Sequence, residues 1–251
     1  MVEIFILSLI QGIAEFLPIS SSSHLIITSE YLNFEKNLSI DVNLHLGSFL
    51  AVIVYFYKDV LNFYKDKILF FKIIISSIPV MLVGIILVET NLVEKIRNIK
   101  TIAWTTLIFG ILLFVSDKFK IEKTIKKNFS FKSAILIGTF QILALIPGVS
   151  RSGIAITVAR FLGFKRVDSA KISFLISIPI LGAVSIFGLN NIVFSENQDF
   201  VKLNIFAIVS AFFFSLMTIK YFLKYLNKFS LNIFVYYRVL LGIILLVIAY
   251  L

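Results

Sequence analysis

The chain has 251 residues, of which 59% are hydrophobic and only 15% charged, against roughly 45–50% apolar in an ordinary soluble domain, which excludes a soluble globular enzyme. The formal net charge of +10 does not point to nucleic acid, because cytoplasmic loops of membrane proteins collect Lys and Arg for topological reasons. With no cysteine present, disulfides, thiolate metal sites and cysteine nucleophiles are excluded, and chemistry must use oxygen and nitrogen groups.

Apolar segments cover roughly 2–27, 38–57, 68–88, 101–116, 133–163, 172–193, 203–223 and 232–251, most of them near the ~20 residues needed to cross a hydrocarbon layer. Met1 to Leu9 lacks a basic start and a polar cluster follows the first segment, so no cleavable signal is expected. The connection 28–37, with Glu30, Glu35 and Lys36, is expected outside, and 58–67, with Lys58, Lys65 and Lys67, inside. The connection 89–100 is expected outside although Lys95, Arg97 and Lys100 fit that side poorly. The segment 117–132 carries Lys118, Lys120, Lys123, Lys126, Lys127 and Lys132 against Asp117 and Glu122, which makes it a solvated cytoplasmic loop. The connection 164–171, with Lys165, Arg166 and Lys171, is basic as well. Two cytoplasmic connections cannot flank a single crossing, so 133–163 must enter and leave on one face. Loop 194–202, with Glu196 and Asp199, then falls outside, loop 224–230, with Lys224 and Lys228, inside, and both termini outside.

The centre of 133–163, Pro147-Gly148-Val149-Ser150-Arg151-Ser152-Gly153, breaks a helix, as a re-entrant hairpin requires. Segment 2–27 has the same character around Pro18-Ile19-Ser20-Ser21-Ser22-Ser23-His24. With Pro18 laid on Pro147, Ser21 falls on Ser150, Ser23 on Ser152 and Thr28 on Thr157, while Gln11 and Gln141 are one residue out. The expectation is an all-α polytopic protein of about six transmembrane helices plus two re-entrant helical hairpins. Residues 1–251 form one membrane domain, with repeat 1 about 1–116, repeat 2 about 133–251, and inverted topology that puts a site near the midplane.

Gln11 and Glu15 lie one helical turn apart, so both oxygens could reach a single cation, and a carboxylate at membrane depth is a functional candidate by default. Ser20 to Ser23 and His24 follow a proline, offering hydroxyls and amides beside an imidazole that could activate one of them, or a turn whose hydroxyls satisfy the backbone. Ser150, Arg151 and Ser152, with Gly148 and Gly153, offer a guanidinium and exposed amides for an anion; the alternative is a buried ion pair between Arg151 and Glu15. His45, on an apolar segment, reads more readily as a structural histidine than as an acid or base, and Arg238 either snorkels to the interface or reaches the site. A carboxylate pair suited to Mg²⁺ or Ca²⁺, a serine beside histidine and an arginine cradle together describe phosphoryl transfer on a lipid phosphate.

These residues resemble the bacitracin-resistance type of undecaprenyl-diphosphate phosphatase. Gln11 to Glu15 is similar to that family's (Glu/Gln)-x-x-x-Glu motif, Pro18 to His24 to Pro-x-Ser-Ser-(Ser/Thr)-x-His, and Pro147 to Ser152 to Pro-Gly-x-Ser-Arg-Ser. Asp41 to Gly47 and Tyr237-Arg238 also resemble family sequences. The resemblance implies that Glu15 with Gln11 holds a divalent cation (Mg²⁺ or Ca²⁺), Ser21 is nucleophile or phosphate ligand, His24 acid or base, and Arg151 with Ser150 and Ser152 the diphosphate clamp. Ser20, Ser22, Gly148 and Arg238 complete the substrate-binding set. It further implies hydrolysis of an isoprenyl diphosphate lipid in a bacterial plasma membrane, a site opening to the periplasmic face, and bacitracin tolerance; a homodimer is a separate expectation that the resemblance does not supply. The competing class is a carrier-lipid transporter or flippase.

Overall fold

The computed structural model describes residues 1–32, 34, 38–90, 96–119, 122–193 and 197–251, with the side chains of 38–39 and 187–193 excepted. Glu35, Lys36, Lys95, Lys120 and Glu196, used above to set topology, lie outside the described residues. The helices run α1 (Val2–Ala14), α2 (Ser21–Tyr31), α3 (Leu38–Tyr55), α4 (Tyr57–Asn62), α5 (Lys67–Glu89), α6 (Ile99–Asp117), α7 (Ile125–Asn128), α8 (Phe131–Gln141), α9 (Arg151–Phe161), α10 (Arg166–Val193), α11 (Gln198–Leu226) and α12 (Asn232–Tyr250), with a 3-10 turn at Ile142–Leu145. Asp66, Asn98 and Ser130 cap α5, α6 and α8 by accepting the amides of Leu69, Thr101 and Ser133. Among the described residues there is no strand, and one isolated bridge joins Lys123 to Phe164.

Helices α5, α6, α10, α11 and α12 are long and apolar enough to cross a membrane, and α3 is a shorter apolar helix. Their outward faces carry Leu82, Ile85, Phe213, Met217, Leu240 and Ile248, all exposed, while Ser8, Gln11, Ser48, Asn204 and Ser215 are buried. That inversion of the soluble pattern is what a lipid environment selects. The protein is thus an all-α, multi-pass membrane protein. The packing pairs exchange when the halves are exchanged: α1 lies on α11 and α8 on α5, α3 on α11 and α10 on α5, while α3 meets α10 and α6 meets α12. Close approach of α1 to α11 needs Gly12, where a Cβ would fall 2.4 Å from the Cβ of Phe214.

Both hairpins break where the sequence indicates. At each break a serine takes a left-handed backbone, Ser20 at φ 76° and Ser150 at φ 73°, and among the described residues no other non-glycine does so. These two residues are the N-caps of α2 and α9, so they are structural equivalents. The superposition on prolines is therefore one residue out. The structural register places Gln11 on Gln141, Ser22 on Ser152 and, most consequentially, Ser21 on Arg151. Pro18 precedes its cap by two residues and Pro147 by three, and Gly148, at φ 93°, takes up the extra residue.

The segment 117–132 keeps Lys118, Lys123, Lys126, Lys127 and Lys132 exposed, as expected, and is anchored to the helices at particular described residues. Lys123 accepts from the Lys165 amide at 3.0 Å and donates its own to Gly163 at 2.8 Å, and Lys72 Nζ donates to the Phe129 carbonyl at 2.5 Å. At its start Asp117, 6% exposed, accepts Arg166 Nε at 2.7 Å and Nη2 at 3.0 Å and the Leu231 amide at 3.1 Å. Arg160 Nε lies 3.4 Å from the same carboxylate. Two basic residues, Arg160 and Arg166, are thereby held by one buried acid.

Candidate active site

Glu15 ends α1 and is buried. It is held there because Phe16, fully buried, packs edge-on against Phe174 with ring centroids 5.2 Å apart. Its carboxylate is the hub. Oε2 accepts Ser21 Oγ at 2.6 Å and Gln11 Nε2 at 3.0 Å, and Oε1 accepts Arg151 Nη2 at 3.0 Å. Ser21 and Arg151, the first residues of α2 and α9, thus meet on one carboxylate. The ion pair weighed as an alternative from sequence is present. Arg151 also donates Nη1 to the Ser173 carbonyl at 3.3 Å, while its Nε is buried with no hydrogen-bond partner.

His24 stands differently from its expected place beside a serine hydroxyl. Its Nδ1 lies 2.6 Å from the Ser20 carbonyl and its Nε2 2.5 Å from Tyr237 Oη, with the two rings stacked at 5.7 Å. A carbonyl only accepts, so Nδ1 carries the proton and the tyrosine hydroxyl donates to Nε2. Both ring nitrogens are engaged away from Ser21. His45, on α3, is instead at the hub: its Nδ1 is 2.8 Å from Gln11 Nε2 and 3.7 Å from Glu15 Oε2. The sequence favours a structural role for His45 over an acid or base and offers Tyr237 only within the Tyr237-Arg238 resemblance, with no role of its own; the usable signal is that an ionisable side chain at membrane depth is a functional candidate by default.

The remaining candidates divide between the hub and its frame. Ser150 Oγ accepts the Gly153 amide at 3.0 Å and so caps α9; Ser152 Oγ donates to the Leu17 carbonyl at 2.7 Å. Gly148 has φ 93°, and a Cβ there would meet Thr105 Oγ1 at 2.0 Å. Arg238, with 0% exposure, spends its guanidinium on backbone carbonyls: Thr106 (3.2 Å), Pro18 and Val149 (both 3.1 Å) and Gly148 (2.8 Å). It therefore ties one break to the other and reaches neither lipid nor hub. Ser20 Oγ bonds the hydroxyls of Ser22 and Ser23 at 3.3 and 3.0 Å rather than capping α2. The two breaks differ in this respect: α9 has a side-chain cap and α2 has none, which leaves the α2 start suited to an anion.

The donor set does not fit a resident divalent cation. Among the described residues no group of three or more His, Cys, Asp or Glu converges anywhere, and Gln11 turns an N–H, not an oxygen, toward Glu15. In favour of one stands only Gln11 Oε1, buried and without a partner. What the arrangement does offer is a hydroxyl on a carboxylate, a guanidinium opposite it and an uncapped helix start, which suits phosphoryl chemistry.

Comparison with known proteins agrees. The undecaprenyl-diphosphatase of Pelagibacter ubique is 50% identical over 99% of this chain and 98% of its own length. Those of Jannaschia sp. and Teredinibacter turnerae are each 38% identical, over 98% of this chain and 98% of their own. The family model described as bacitracin resistance protein BacA matches residues 4–244, and the chain belongs to that family.

Proposed function

We propose that this protein hydrolyses undecaprenyl diphosphate to undecaprenyl phosphate and phosphate at the Glu15–Ser21–Arg151 hub, recycling the carrier lipid of peptidoglycan synthesis and raising bacitracin tolerance. The single observation that carries the assignment of the site is Ser21 Oγ at 2.6 Å from Glu15 Oε2, with Arg151 at 3.0 Å on the other oxygen. The terminal phosphate sits at the start of α2 and draws Arg151 from Glu15. Ser21 Oγ then bonds to the terminal phosphorus, its proton passes to Glu15 and from there to the departing bridging oxygen, and the bond from that phosphorus to the bridging oxygen breaks, releasing undecaprenyl phosphate. Water, giving a proton back through Glu15, cleaves the phosphoserine to phosphate and free Ser21. Glu15 takes the proton here, rather than His24, because the ring nitrogens of His24 are committed to Ser20 and Tyr237. His24 and Tyr237 flank the start of α2 and orient the incoming group.

The setting is a bacterial plasma membrane, with the mouth of the site toward the periplasmic face; the basic 117–132 segment on the opposite side supports that orientation. Phosphate release from undecaprenyl diphosphate by the purified protein in detergent tests the reading. Ser21→Ala is expected to lose turnover while still binding the lipid diphosphate. Substantial residual turnover in that variant would remove the covalent step and leave water as the attacking group.

A further inference from the structure

We infer that in this chain the divalent cation is a passenger of the substrate: it enters as the metal complex of the diphosphate, and the Gln11–Glu15–Arg151 arrangement keeps the free protein from holding it. The inference deepens the diphosphatase reading and rests on it. A Mg²⁺ ion requires near-octahedral oxygen coordination, commonly from one or two carboxylates plus substrate phosphates, and Ca²⁺ takes more oxygens still. The hub has one carboxylate, and most of its acceptor positions are in use: Ser21 and Gln11 on Oε2, Arg151 on Oε1. The guanidinium 3.0 Å from Oε1 already balances the charge and would repel a dication at the same oxygen.

Gln11 closes the other route. Its amide nitrogen donates to Glu15 Oε2 at 3.0 Å and lies 2.8 Å from His45 Nδ1. Turning the amide over would set its oxygen against the Glu15 carboxylate oxygen, so that acceptor keeps the nitrogen toward Glu15. The amide oxygen is left buried and unpartnered on the other branch, neutral and alone. A diphosphate reverses each of these conditions. It brings several charged oxygens that chelate the cation before any protein group does, and by drawing Arg151 away it frees Oε1 to join the shell.

Mn²⁺ retention by the purified protein, read by electron paramagnetic resonance, tests this with farnesyl methylenediphosphonate as a non-hydrolysable diphosphate. Wild type is expected to retain Mn²⁺ only when the diphosphonate is present. Gln11→Glu, which sets a second carboxylate one turn from Glu15, is expected to retain Mn²⁺ without it, at least about tenfold more tightly than wild type. Wild type holding Mn²⁺ equally with and without the diphosphonate, and losing it in Glu15→Gln, would overturn the inference. So would a bound diphosphonate that brings no Mn²⁺ with it. Phosphorus-31 line broadening in matched samples, with diamagnetic Mg²⁺ in place of Mn²⁺, reports diphosphonate binding by itself; its absence throughout would remove the diphosphatase reading, and the inference with it.

Discussion

Arg238→Met separates a frame residue from a substrate ligand. Methionine keeps the length and the apolar stem but removes all donors. Of the carbonyls Arg238 serves, that of Thr106 lies within helix α6, whereas those of Pro18, Gly148 and Val149 lie in the breaks, where the helical ladder is interrupted. At about 1–2 kcal/mol for each buried carbonyl left without its donor, the loss is about 3–6 kcal/mol, a large share of the roughly 5–15 kcal/mol that holds a domain together. Thermal unfolding in detergent should fall by roughly 10 °C. Catalysis should fall as well, through kcat: the guanidinium ties the break holding Ser21 to the break holding Arg151, and a displacement of about 1 Å between reacting groups costs roughly 10²-fold. Arg238→Lys should recover little, since one ammonium cannot span carbonyls on three segments. An unchanged unfolding temperature combined with a raised KM and an intact kcat would refute this reasoning and make Arg238 a ligand of the lipid.

Gly148→Ala places a Cβ 2.0 Å from Thr105 Oγ1 and 2.8 Å from the Ile102 carbonyl at φ 93°; thermal unfolding should show a loss of about 3 kcal/mol or more, of which Thr105→Ala restores only part because the carbonyl remains. Asp117→Asn leaves Arg160 and Arg166 without their buried counter-charge and should destabilise by about 3–5 kcal/mol in the same assay, with little change in KM for protein that stays folded. Tyr237→Phe removes the hydroxyl on His24 Nε2; kcat should drop about tenfold with the unfolding temperature unchanged, and adding His24→Ala to Tyr237→Phe should cost little more than His24→Ala alone.

Hydropathy and charge parity suffice for the helical, multi-pass architecture, because in lipid every spanning segment must satisfy its own backbone. They also locate both breaks, since Pro18 and Pro147 interrupt otherwise apolar runs. What they could not supply is register. One inserted residue, Gly148, shifts the second break against the first, and only the shared left-handed backbone of Ser20 and Ser150 shows that Ser21 answers to Arg151. The motifs name Gln11, Glu15, Ser21 and Arg151, and these four meet. They do not show that His24 faces Tyr237, that His45 comes over from α3, or that Arg238 is consumed by carbonyls. Each of those depends on how distant helices pack, and a sequence carries that only through small residues and apolar faces.

The Asp117 cluster has a mechanical meaning when set beside Arg238. Arg238 fastens α12 to α6 and to both breaks, and Asp117 fastens the end of α6 to α9, to α10 and to the turn before α12. These are two rivets at different depths along the same α6–α12 pair. A plate riveted once can pivot, but one riveted twice cannot. Rocking the second hairpin against α12, as alternating access demands, would require breaking both at once and uncovering the buried guanidinium groups of Arg160 and Arg238. The scaffold is built to hold still while the lipid head group comes to it and leaves.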